Sequence, residues 1–161
     1  MDSSPAYLLH KLVFEMDRGA DQLLRSHMGI SYKRALFLAV LQECGTVTQH
    51  ALAVALGYSD PAVSTMLVEL AKDGYLRTTP SPEHGRKRLV TITPKGSEAV
   101  ANGRHLLDSH FDQLMQAAGV DAQHYHKLTE QLYHTLVANR KKEQSCFPKF
   151  PRAPADAGSP P

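Results

Sequence analysis

Cysteine is scarce. Two occur in 161 residues, Cys44 and Cys146, far apart and outside any CxxC spacing. That excludes a disulfide framework and a zinc ribbon and fits a reducing cytoplasm. Long apolar runs are also missing, so no membrane span is expected. Met1-Asp2-Ser3-Ser4-Pro5 has no basic flank leading into an apolar core, so it does not read as a secretory signal. The chain lacks a phosphate-cradling Gly-rich loop, a nucleophile elbow and His/Glu metalloprotease spacing. The carboxylates are scattered along helical segments, where solvated faces are their usual role. No enzyme and no cofactor are expected. Nine histidines invite a metal reading, but no two stand in H-x3-H spacing on one helix; His105 and His110 are five apart, and His124, His126 and His134 follow on the next segment. No metal site is expected. A strong charge excess is missing too, because 18 Lys+Arg face 16 Asp+Glu for a net +2.

What is there is one soluble domain's worth of amphipathic helix signal, with 42% hydrophobic residues. Ser4-Pro5 is a helix start, and Leu8, Leu12, Met16, Ala20 and Leu23 recur at steps of three and four until Gly29. Leu9, Val13 and Phe14 widen that stripe beyond what one side of a small domain requires, which suggests a partner chain. Ser31 to about Glu43 reads as a second helix, with Leu36, Phe37, Val40 and Leu41 inward. Thr48 caps a short third helix carrying Leu52, Ala53 and Leu56, ended by Gly57. A fourth begins near Pro61, with Val63, Leu67 and Leu70 inward, and stops at Gly74. Tyr75–Thr79 and Arg86–Thr93 read as the two strands of a ribbon around a Pro/Gly-rich tip. Thr93-Pro94 starts a helix to about Ala118. Asp121 caps the last one, with Tyr125, Leu128, Leu132, Leu136 and Val137 as its stripe. From Gln144 the composition turns Pro-rich, and 144–161 reads as a disordered tail.

The centre of this pattern is Thr46–Thr93. A helix, a short turn and a second helix place that second helix where it can enter a major groove about 12 Å wide. Its leading outward residues, Ser59, Asp60, Pro61, Ser64 and Thr65, are small or polar and permit close approach. Between Arg77 and Lys95 stand five cations, Arg77, Arg86, Lys87, Arg88 and Lys95, against one acid, Glu83. A local excess of that kind suits phosphate.

Taken together, Leu56-Gly57-Tyr58-Ser59-Asp60-Pro61-Ala62-Val63-Ser64-Thr65-Met66-Leu67, then Leu70, Gly74-Tyr75-Leu76 and Leu89-Val90-Thr91-Ile92-Thr93-Pro94-Lys95-Gly96, resemble the MarR family of bacterial transcription regulators. The resemblance spans about Tyr7 to Arg140. It implies a mostly α fold with a small β-wing: an N-terminal dimerisation helix (1–30), a winged helix-turn-helix lobe (31–96) and C-terminal dimerisation helices (97–143). It further implies a homodimeric repressor on a pseudo-palindromic double-stranded DNA operator, tuned by a small-molecule effector. The DNA-contact candidates are Thr48, Ser59, Asp60, Pro61, Ser64, Thr65, Arg77, His84, Arg86, Lys87 and Arg88. Arg86 aligns with the family's minor-groove arginine, and His84 stands where the family usually has an acid. Tyr7, His10, Phe14, Phe37 and Leu41 are the effector-pocket candidates; each also fits an ordinary core role. The alternatives are a metal- or redox-responsive regulator of the same fold, or a winged-helix module for protein–protein assembly. Redox-sensing members carry a cysteine near the start of the first helix; none stands there, so Cys44 reads as a small buried hydrophobe.

Overall fold

The computed structural model describes residues 4–82 and 87–141. The expected tail (144–161), Cys146, and the wing-tip residues His84 and Arg86 lie outside the described residues. Among the described residues, six helices and three short strands run in the order α1 (Pro5–Met28), α2 (Tyr32–Cys44), β1 (Val47–Thr48), α3 (Gln49–Leu56), α4 (Asp60–Lys72), β2 (Leu76–Pro80), β3 (Arg88–Ile92), α5 (Pro94–Ala118) and α6 (Ala122–Lys141).

Local chemistry sets most of these boundaries. Ser4, Ser31, Thr48, Ser59 and Thr93 each precede a helix and accept a hydrogen bond from a backbone N–H of its first turn. Each bond satisfies a donor that the helix itself leaves orphaned. Asp121 does the same for α6, accepting from His124 N at 2.6 Å. Gly29, Gly57 and Gly119 close α1, α3 and α5 in the left-handed conformation, which a side chain would strain.

The core lies where α2, α3, α4, the sheet and the inner ends of α1 and α5 converge. Phe37, Leu38 and Leu41 of α2 meet Leu52, Val63, Leu70, Leu76 and Val90, with Leu24 from α1 and Val100 from α5 closing it. Fully burying such a side chain stabilises the fold by roughly 1.5–3 kcal/mol. Between α3 and α4 the chain bends by 109°, within the range of helix-turn-helix units. Ser59 caps α4 at the far side of that bend, so Val63, Leu67 and Leu70 face the core while Ser64 and Thr65 stay exposed.

The wing differs from the expected two-stranded ribbon. β1 adds a third antiparallel strand, in the order β1-β3-β2. Val47 pairs with Val90 and Thr48 with Leu89, so the cap of α3 is itself part of the sheet. Two residues are too few to show a period of two, which is why the sequence carries no sign of this strand. β2 starts one residue later than expected and takes in Pro80, tolerated there because β2 is an edge strand.

The turn from α4 to β2 is fastened to the start of α5. Thr93 Oγ1 donates to Gly74 O at 2.7 Å, and Lys95 Nζ donates to Asp73 O at 2.7 Å while lying over the Tyr75 ring. Arg34 of α2 pairs with the Asp73 carboxylate. The end of α4 is therefore held by both α2 and α5.

The outer helices are a different environment. Leu8, Leu9, Leu12, Val13 and Phe14 on α1 are exposed, as are Leu128, Leu132 and Leu136 on α6. Among the described side chains of α6 none is buried. Its start leans on α5 through Phe111 and Tyr125, whose ring centroids are 5.6 Å apart. Among the described residues no single helix is long and apolar enough to cross a membrane.

Candidate nucleic-acid interface

The N-terminal ends of α3 and α4 and the base of the wing meet at one edge of the lobe. Thr48 from β1, Gln49 and His50 from α3, Asp60 from α4, and Lys87 and Arg88 from the wing line a cleft of about 370 Å³ there. The sheet register explains the meeting. Thr48 pairs with Leu89, which brings the α3 cap beside Arg88, and Ser81 N donates to Lys87 O at 2.8 Å, which draws the ribbon together before its tip. Arg88 Nη2 donates to Thr78 Oγ1 at 3.0 Å across the strands, holding the guanidinium against β2.

Four of the residues expected from sequence, Thr48, Asp60, Lys87 and Arg88, thus share a cleft. Ser59, Pro61, Ser64 and Thr65 continue along the exposed face of α4 beside it. Ser59 Oγ is engaged as the helix cap, accepting from Ala62 N at 3.4 Å, and Thr65 Oγ1 donates back to Pro61 O at 3.2 Å. Arg77 stands apart. It pairs with Thr91, one step out of phase with Thr78, Val90 and Arg88, so it lies on the opposite face of the sheet.

Two residues of the cleft, Gln49 and His50, are not among those expected from sequence. Gln49 Nε2 donates to Asp60 O at 3.4 Å, and His50 Nδ1 lies 3.1 Å from Asp60 Oδ2. Ten or more residues separate the partners, and only the bend between α3 and α4 joins them, so no local pattern signals the pair.

The expected effector residues do not gather. Phe37 and Leu41 are wholly buried in the lobe's core, whereas Tyr7, His10 and Phe14 are exposed on the N-terminal half of α1. An apolar cleft of about 430 Å³ lies instead where α1, the start of α2 and α5 meet, with Leu12, Met16, Tyr32, Leu107, Phe111 and Leu114 among its lining. It needs three elements at once, which is why a search along single helices does not find it. Burial, with Asp17 beside it, pushes the Tyr32 phenol above its ordinary range. Asp21 sits behind this corner, accepting from Tyr32 N at 2.9 Å; its bond to Arg25 and that backbone bond hold its carboxyl below the usual range.

Cys44 is half-buried, and burial with Glu43 nearby pushes its thiol up, which disfavours the reactive thiolate. On α6, His126 and His134 flank Glu130, their Nε2 atoms 4.0 and 3.5 Å from its carboxylate. Among the described residues no group of three His, Cys, Asp or Glu side chains is arranged to hold a metal ion.

Comparison with known proteins places this geometry. Residues 28–87, from the end of α1 to the wing, match the model of the MarR family. A comparison with curated proteins finds no match. Among solved structures, wild-type MarR from E. coli in its apo form superposes with a TM-score of 0.72 at 22% identity, covering 83% of this chain and 96% of that one. A mutant E. coli MarR crystallised with operator DNA gives a TM-score of 0.68 at 22% identity, over 81% of this chain and 92% of that one. The S. aureus MepR–DNA complex gives 0.65 at 22% identity, over 84% and 97%. Residues 28–87 are thus similar to the MarR family, and the chain has the winged helix-turn-helix fold of the MarR and MepR structures.

Proposed function

We propose that this protein is a homodimeric, sequence-specific DNA-binding transcription regulator that acts as a repressor in the cytoplasm. The observation that carries the reading is the exposed leading face of α4. Pro61, Ser64 and Thr65 project no long side chain, and two of the lobe's cations, Lys87 and Arg88, share a cleft with Asp60 at the start of that face. Ser64 and Thr65 contact base edges, while Thr48, Ser59, Lys87 and Arg88 hold phosphates and set register. Arg77 meets the backbone from the other face of the wing. Arg86 enters the minor groove, with His84 beside it; that role rests on the family resemblance. The likeness to MarR and MepR structures solved with DNA supports the same orientation.

The dimer reading rests on α1 and α6. A 20-residue helix with an apolar stripe and no buried described side chain has little to hold it in water alone. A second copy covers Leu128, Leu132 and Leu136 together with the exposed leucines of α1. The two α4 helices then address half-sites about 34–36 Å apart.

Effector control uses the cleft between α1, α2 and α5. Its volume lies within the range typical of small-molecule sites, and it adjoins both the lobe and the outer helices. A ligand shifts DNA affinity only by binding the two arrangements unequally. Tyr32, whose backbone is tied to Asp21 of α1, is the residue through which such a shift passes from α1 to α2.

A mobility shift on the DNA upstream of its own coding sequence, repeated across salt concentrations, tests the reading. Saturable binding that falls steeply with salt supports it; equal affinity for random DNA refutes it. That second outcome favours the protein–protein assembly reading of the wing.

A further inference from the structure

Asp60 opens α4 with a carboxylate on the face that, in the reading above, a polyanion approaches. Left alone it repels phosphate. Its side chain is 52% exposed, and its two oxygens lie 3.3 and 3.1 Å from Nδ1 of His50 on α3. The Gln49 side chain holds the Asp60 carbonyl and so fixes the backbone beneath the pair. Among the described residues, three charged groups share the cleft with the imidazole. Asp60 comes from α4, Lys87 and Arg88 come from the wing into the same cleft, and the neutral Thr48 of β1 and Gln49 of α3 complete its described lining. Arg88 is engaged with Thr78 on β2.

A neutral imidazole leaves Asp60 a net anion at the interface. An imidazolium cancels it. It also has two N–H groups, one for each direction: Nδ1–H donates to Asp60, and Nε2–H is available to a phosphate oxygen. Carboxylate and phosphate then share one ring, each accepting one of its two N–H protons. We propose that His50 is a DNA-contact residue that holds a backbone phosphate as the imidazolium, oriented by Asp60, so that each lobe takes up one proton from solvent when DNA binds. This rests on the DNA-binding reading of the α4 face.

Imidazole is the side chain that changes charge between pH 5 and 8. Proton uptake on binding therefore makes affinity fall as pH rises, with a limit of about tenfold per pH unit for each proton taken up. The test is fluorescence anisotropy of the full chain with a duplex that the protein has itself selected from a random pool at pH 6. Titrations at pH 6, 7 and 8 are run at one ionic strength. The wild type is expected to weaken by about tenfold or more from pH 6 to pH 8. His50→Gln binds more weakly at pH 6 and has a shallower profile than the wild type, while the exposed His105→Gln keeps the wild-type slope. Proton NMR of the His50 ring, with and without the duplex, should show its titration midpoint rise on binding. A His50→Gln protein that keeps the wild-type slope overturns the inference, as does tight wild-type binding that ignores pH. Both outcomes leave the DNA reading standing. A wild type that selects no duplex at any pH overturns the DNA reading and this inference with it.

Discussion

Gly96 shows how little room the joint between wing and α5 allows. A Cβ there would fall inside contact distance of Tyr75 O and 2.6 Å from Ile92 Cγ1. Neither obstacle is a flexible chain end, so Gly96→Ala has to move the strand. Overpacking of this kind costs about 1–3 kcal/mol, and urea unfolding followed by circular dichroism should show the loss. Asp73 at the same joint carries a pH signature. Its bond to Arg34 holds the carboxyl below its ordinary range, with Lys72 and Lys95 adding to the effect. A depressed carboxylate contributes stability that is complete above its unfolded value and is lost as pH falls through the folded one. Thermal stability should therefore drop below about pH 4, and Asp73→Asn should drop less steeply while starting lower at neutral pH. Equal slopes for the two proteins would remove Asp73 from the acid response.

At the scale of elements, caps and stops were readable in the sequence because each is one side chain acting on its own backbone. Ser4, Ser31, Thr48 and Thr93 stand where their helices start. α4 begins at Asp60, one residue before the expected Pro61. The inward sets of α2, α3 and α4 were also readable from spacing, with Leu38 added and Leu36 and Leu56 only partly buried. What was not readable depends on elements meeting. β1 is visible only through its partner β3, Arg77 and Arg88 part company only through strand register, and the His50–Asp60 pair forms only through the bend between two helices. Leu70→Ala should cost about 2–5 kcal/mol in chemical unfolding, because it opens the core behind α4. Leu132 lies on an exposed stripe instead. Leu132→Glu should leave the helical content of the lobe intact while shifting the sedimentation mass from twice the 17.8 kDa chain toward a single one. Wild-type protein that sediments as one chain at micromolar concentration would remove the dimer from the account.

For the whole molecule, the joints matter more than any single contact. α4 is fastened at its end to α2 through Arg34 and to α5 through Lys95, and α2 is fastened at its start to α1 through Asp21. A change in the packing of α1 against α5 is thereby passed to the C-terminal end of α4. Arg86→Ala should weaken DNA binding more than Lys142→Ala does, when both are measured by anisotropy on one duplex. The central claim is that two copies of the exposed α4 face read DNA together, and binding-site selection from a random duplex pool tests it most directly. The account predicts enrichment of an inverted repeat with half-site centres about 10–10.5 base pairs apart, and loss or change of the preferred bases when Ser64 and Thr65 are replaced by Ala. Enrichment of a single unpaired site, or no enrichment at all, would contradict it.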